Sequence, residues 1–245
     1  MVGRTEMNIL ATDTSSQALT VAIRTDSYFE SRTSEGRSLQ HSEKLMVTVL
    51  ELCRNAGIES KDIDLFACTR GPGSFTGLRI GMAALKGMAY AAAKPLVSVS
   101  TMEVLANCIP CFDGAIVTVM DAKKQRWYLS AFEKKDTNSA RRLMPDTDGT
   151  EADLAEVLSP YSRILVTGPD AEAFRPCLEK LFTGKTILVD NATREARATS
   201  LISCSLEKFE KDGPDDIGQG PVYLRKSDAE IALEEKQRQL QGGEQ

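Results

Sequence analysis

Long apolar runs are missing from this 245-residue chain. The richest stretch, Met82 to Ala93, is interrupted by Lys86 and Gly87 and closed by Lys94-Pro95, so it offers no membrane span. Histidine is almost absent as well. The single one, His41, cannot build a His-rich metal site, and neither G-x-S-x-G nor H-E-x-x-H occurs, which removes two common hydrolase signatures. A basic excess is lacking: 30 Lys and Arg against 35 Asp and Glu leave a net charge of -5, which argues against this chain alone gripping a nucleic-acid backbone. Six scattered cysteines are too few for a disulfide framework, and Cys108-Ile109-Pro110-Cys111 is one C-x2-C with no second pair at ligand spacing. The first six residues hold Arg4 and Glu6 but no apolar core of a secretory signal, so a cytoplasmic location is expected.

What is present is an alternation of short strands and helices. Asn8 to Thr12, Ala18 to Arg24 and a polar run to about Thr33 form an opening meander around the turn Asp13-Thr14-Ser15-Ser16. Ser38 to Ala56 has helical periodicity with Gly57 behind it, Asp64 to Thr69 is a buried strand, and Leu78 to about Ala93 a second helix stopped by Pro95. Leu96 to Val99 and Thr101 to Asn107 add a strand and a short helix. The second half restarts the pattern: Ala115 to Met120 runs into Asp121, a polar turn and the strand Arg126 to Phe132, an echo that suggests duplication of a strand-Asp-turn-strand unit. Helices are expected near 152–158, 169–181 and 198–209, strands at 163–167 and 186–189, and a loop from 213 to 221. The chain is accordingly expected to divide into an N-terminal lobe (1–110), a C-terminal lobe (111–226) and a charged tail (227–245).

Asp13 and Asp121 each close a strand. Aspartates so placed, with hydroxyls and free amides beside them at Thr14 and Ser15, are similar to the phosphate loops of actin-like and sugar-kinase-like ATPases, although a bare D-T-S-S is more often an Asx or Ser/Thr turn closing a hairpin. Nucleotide contact is a possible role of Asp13, Thr14, Ser15, Asp121 and the turn at Gly168. The glycine-rich stretch Gly71 to Gly77 lacks the lysine of a Walker loop and the spacing of a dinucleotide fingerprint, so tight helix–strand packing explains it better. The helix behind it carries only Arg79 and Lys86 as charges, with a small-residue row through Gly77, Gly81, Ala84, Met88 and Ala91. Helix 38–56 shows, besides Met46, Val49, Leu50 and Cys53, a neighbouring stripe of His41, Leu45, Thr48 and Leu52. Both helices have more apolar surface than one sheet covers. They either cover each other or meet another subunit.

The block Arg70-Gly71-Pro72-Gly73-Ser74-Phe75-Thr76-Gly77-Leu78-Arg79-Ile80-Gly81 resembles the bacterial TsaB (YeaZ) family, together with Asn8 to Thr14, Val99-Ser100-Thr101, Met120-Asp121-Ala122 and Pro221-Val222-Tyr223-Leu224-Arg225. The similarity runs over about residues 7 to 226. It implies an α/β protein of the ASKHA (actin-like ATPase, RNase H-like) fold with two related lobes, and a part in making threonylcarbamoyladenosine at position 37 of tRNA. It implies a non-catalytic subunit that binds the paralogue TsaD, with the ATPase TsaE in a ternary complex, tRNA met only through the complex, and a homodimer when TsaD is absent. TsaD holds a metal through a His-x3-His pair, whose matching positions here are Thr101 and Leu105, so neither a metal nor a cofactor is expected. Partner contact is implied for His41, Leu45, Thr48, Leu52, Gly77, Arg79, Ile80, Gly81, Ala84 and Met88. The rival expectation is an active ATP-dependent phosphotransferase or ATPase of the same fold; a peptidase has no nucleophile–base pair to support it.

Overall fold

The computed structural model describes residues 7–35, 38–136, 139–190 and 198–225. The charged tail, expected from 227 onward, lies outside them. In the first half β1 (Ile9–Asp13), β2 (Ala18–Arg24) and β3 (Phe29–Glu35) form an antiparallel meander. Helix α1 (Ser38–Ala56) then leads to β4 (Leu65–Gly71), which pairs parallel to β1, and α2 (Phe75–Ala92) leads to β5 (Leu96–Ser100), parallel to β4. Helix α3 (Thr101–Asn107) closes the unit. The second half repeats it with the meander β6 (Phe112–Lys123), β7 (Arg126–Lys134) and β8 (Arg141–Gly149), then α4 (Ala155–Leu158), β9 (Arg163–Thr167), α5 (Ala171–Leu181), β10 (Thr186–Val189) and α6 (Ala198–Asp212). The strand orders are β3-β2-β1-β4-β5 and β8-β7-β6-β9-β10, one topology used twice.

The central strands are buried on both faces, and the two-residue period of a strand sorts their side chains into three cores. Leu10, Leu19, Val21, Ile23 and Phe66 face α1 and α2, which contribute Leu45, Val49, Leu52 and Leu85. Ile9, Ala11, Leu65, Val97 and Val99 point the other way, toward α3 and α6. From the second sheet Ile116, Met120, Tyr128 and Phe132 enter that same middle core, while Ala115, Val117, Val119 and Leu129 face Leu154, Phe174 and Leu178 on the far side. The molecule is therefore layered as α1/α2, first sheet, α3/α6, second sheet, α4/α5.

The middle layer is shared. Helix α6 packs on β1, β4 and β5 of the first sheet although it follows the second in sequence, and α3 packs on β6. Residues beyond it stay with the first sheet: the Asp215 amide donates to the Leu96 carbonyl at 2.8 Å, and the Val222 amide to that of Arg70 at 2.8 Å. A single cut of the sequence near residue 110 therefore separates the sheets but not the packing units.

Three elements differ from expectation. Helix α2 starts at Phe75, not Leu78, because the Ser74 hydroxyl caps it by accepting from the Gly77 amide at 3.2 Å. The helix expected at 152–158 is a 3₁₀ turn, Glu151–Leu154, followed by the one-turn α4. Strand β8 was not expected: Pro145 and the surrounding charges lack a strand's alternation, and they are tolerated because β8 is an edge strand, paired on one side only.

Candidate functional site

Between the lobes lies a cavity of about 600 Å³. The first lobe lines it with the β1–β2 turn and the first residue of β2 (Ser15, Ser16, Gln17, Ala18) and with the approach to α2 (Gly73, Ser74, Phe75), the second with Met120, Asp121, Ala122, Lys123, Tyr128, Pro169 and Asp170; Glu35 and Arg225 complete it. Of the residues considered for nucleotide contact, Ser15 and Asp121 reach this wall, and Asp13, Thr14 and Gly168 do not.

Asp13 is buried and engaged within its own lobe. Its Oδ1 accepts the Thr69 hydroxyl at 2.7 Å and the Ser15 amide at 2.9 Å, which is an Asx turn tied to the neighbouring parallel strand. Thr14 lies under α2, where its carbonyl and hydroxyl sit against Gly77 and Gly81. Gly168 has φ +119°, and a Cβ there would come 2.2 Å from the Val119 carbonyl oxygen, so this glycine serves the close approach of β9 to β6. Asp121 is the more accessible aspartate. Its Oδ1 accepts the Lys123 amide at 2.7 Å and its Oδ2 the Lys123 ammonium at 2.5 Å, while its own amide donates to Asp170 at 2.7 Å. Burial raises the Asp121 carboxyl, but the Lys123 contacts outweigh it and hold the group below the usual carboxylate range; the same pairing raises Lys123. The two aspartates thus fail to converge on the cavity as a hydrated metal would require, and the residues do not fit a metal–nucleotide site. Among the described residues no group of three or more His, Cys, Asp or Glu side chains is placed to hold a metal ion.

Thr101 and Leu105 are both buried in the first turns of α3. Beside them Ser100 caps α3 and donates to Asp146 of β8 at 2.6 Å, and Arg142 bridges Asp146 and Glu103, so polar contacts between the lobes occupy this corner.

The outer face of α1 and α2 is the second candidate, and here the expected stripe is corrected. Leu45 and Leu52 are core residues, and His41 is buried with Nε2 donating to the Gln17 carbonyl at 3.2 Å. Thr48 is half-buried. The side of α1 turned to solvent carries Met46, Val47 and Leu50, which are 38%, 56% and 58% exposed. On α2, Gly77 and Gly81 are buried against Thr14, and Arg79 is exposed but engaged, its Nε donating to the Tyr223 hydroxyl at 2.7 Å. Ile80, Ala84 and Met88 are half-buried at the margin of the core shared with α1, and Tyr90 stands 81% exposed. The two helices therefore do cover each other, and a different set of apolar residues is left outside. Cys108 is buried, Cys111 exposed, and neither is in a disulfide.

Two lobes with one strand order, facing each other across a common cleft, define a two-lobed α/β protein of the ASKHA class. A family model described as "TsaD: tRNA N6-adenosine threonylcarbamoyltransferase" matches residues 35–233. The chain is 29% identical to the tRNA threonylcarbamoyladenosine biosynthesis protein TsaB of Bacillus subtilis, over 95% of this chain and 100% of that one. To the Escherichia coli protein of the same name it is 32% identical over 53% of this chain and 57% of the relative. The solved structure of YeaZ from Pseudomonas aeruginosa superposes with a TM-score of 0.72 at 22% identity, covering 89% of this chain and 100% of that one, a likeness of fold. The chain belongs to the TsaD family in the broad sense and, within it, to TsaB (YeaZ), a family of tRNA threonylcarbamoyladenosine biosynthesis.

Proposed function

We propose that this chain is the non-catalytic subunit that binds and supports a TsaD-like paralogue during threonylcarbamoylation of adenosine 37 of tRNA. One observation carries the reading: α1 leaves Met46, Val47 and Leu50 in solvent although its inner stripe already fills the core of its lobe. Large side chains outside a filled core suit burial against a partner's helices. A paralogue built on the same two lobes offers such helices. The same face serves a homodimer when that paralogue is absent. A TsaE-like ATPase joins the complex in the cytoplasm, and tRNA is held through the assembly, since a net charge of -5 gives this chain little grip on phosphates. The engagement of Asp13 with Thr69 and of Asp121 with Lys123, and Thr101 and Leu105 in place of a pair of imidazole ligands, support a subunit without its own reaction or cofactor.

The test is a double substitution, Val47→Arg with Leu50→Arg. Both residues are solvent-exposed, so the circular dichroism and melting of the chain should hold. Affinity for the TsaD-like paralogue should fall about 30- to 1000-fold, the scale of losing interface hot spots. A folded variant that binds at wild-type affinity would refute the assignment. ATP turnover by the isolated chain that vanishes in Asp121→Ala would establish the phosphotransferase or ATPase alternative instead.

A further inference from the structure

The irregular segment after α6 is fastened to the first lobe at nearly every step. The Asp215 carboxylate accepts the Ser98 amide at 2.6 Å and pairs with the Ser98 hydroxyl and the Lys208 ammonium. Lys86 of α2 donates to the Ile217 carbonyl at 2.6 Å and to that of Gln219. The Val222 amide bonds the Arg70 carbonyl, and Gly71 lies so close that a Cβ there would be 2.6 Å from the Val222 oxygen. The Tyr223 ring stacks on Phe75 with centroids 4.6 Å apart and planes 15° apart, and its hydroxyl accepts from Arg79. Two residues later the attachment changes lobe: Arg225 Nη1 donates to the Ala122 carbonyl of β6 at 2.8 Å, and Arg225 forms part of the cavity wall.

From this we infer that Pro221-Val222-Tyr223-Leu224-Arg225 is an interlobe latch, anchored on the start of α2 and hooked by Arg225 onto β6, which sets the width of the cleft between them. The argument is one of position. The shared α3/α6 layer and the Ser100–Asp146 and Arg142–Glu103 contacts join the lobes at the end of β5. The latch joins them at the cavity wall, where the walls themselves are the β1–β2 turn, the α2 start and the β6 end. A rotation of one lobe about the α3 corner that widens the cavity stretches the Arg225 hook. Because Val222 and Tyr223 are held by backbone and stacking contacts to the first lobe, the segment passes such a motion on to Arg225. This inference does not depend on which partner the α1 face meets.

Hydrogen–deuterium exchange of the full chain tests it. The Asp121 and Lys123 amides, bonded to the Asp170 and Asp121 carboxylates, report on the second wall. In Arg225→Ala, exchange across 120–128 and 13–18 should rise about 3- to 10-fold, the worth of one hydrogen bond to local opening, with β9 unchanged. Arg225→Lys, which keeps a cation but not the planar fork, should give a smaller rise in the same peptides. Lys86→Ala should loosen 215–220 and leave 120–128 at its native rate. Unaltered exchange at 120–128 in Arg225→Ala would overturn the latch. So would an equal rise there in Lys86→Ala, a uniform rise over both sheets, or failure of Arg225→Ala to fold, each of which makes the segment ordinary packing.

Discussion

At the scale of single residues, the glycines of α2 show how one residue type carries opposite meanings in one helix. A Cβ at Gly77 would stand 2.0 Å from the Thr14 carbonyl oxygen, and one at Gly81 would stand 2.2 Å from the Thr14 hydroxyl, whereas at Gly87 nothing lies within 4 Å. The first two let α2 lie directly on the β1–β2 turn; the third only adds backbone freedom to the unfolded chain. Gly77→Ala should therefore destabilise by about 2 kcal/mol or more, lowering the melting temperature by roughly 4–8 °C for a chain of this size. Gly87→Ala should stabilise by about 0.5–1 kcal/mol and raise it by roughly 1–4 °C. Calorimetry on the two variants decides the matter, and a Gly77→Ala protein that melts like wild type would disprove the close approach. The sequence favoured packing over anion binding for this block, since the Walker lysine and the dinucleotide spacing are both missing. It could not reveal the counterpart, because Thr14 is 63 positions away and nothing local to either residue names the other.

At the scale of elements, periodicity disclosed that α1 carries two apolar stripes but not which members of each meet the sheet. Both repeat at three and four residues, and both contain leucine. The choice is made by the neighbours: the sheet residues Leu10, Val21 and Phe66 offer a continuous surface, and Leu45, Val49 and Leu52 dock on it. Met46 and Leu50, one residue round the helix, are thereby turned outward. Leu45→Ala should then cost about 2–5 kcal/mol in unfolding free energy, as for a core cavity, while Leu50→Ala should stay within about 0.5 kcal/mol of wild type and weaken only partner binding. Urea denaturation of both variants measures this, and equal losses would mean that the two positions are buried alike. Strand β8 was hidden for a different reason. An edge strand needs hydrogen bonds on one side only, so selection for alternation is weak there, and Arg142 and Asp146 serve the contact with α3 instead of a core.

At the scale of the whole molecule, the repeat of strand, aspartate, turn and strand was visible because it is local, and it anticipated two sheets with one topology. The sharing of the middle layer was not visible, since it joins residues about 190 positions apart, as when α6 covers the inner face of β1. This has a consequence for any attempt to isolate a lobe. A fragment of residues 1–110 contains β1 to β5 and α1 to α3 but lacks α6 and the second sheet, so Ile9, Ala11, Leu65, Ala67 and Val97 lose much of their cover. Re-exposing such side chains costs about 25 cal/mol per Å² of apolar surface, and several together are comparable to the 5–15 kcal/mol by which a domain of this kind is stable. The fragment should therefore keep strand and helix signal in the far ultraviolet, bind a hydrophobic dye and melt without a cooperative transition. Supplying residues 198–225 as a separate peptide should restore part of the cooperativity, because the missing layer then returns. A fragment of 1–110 that melts sharply and excludes the dye would show that the first lobe is self-sufficient and that α6 only decorates it.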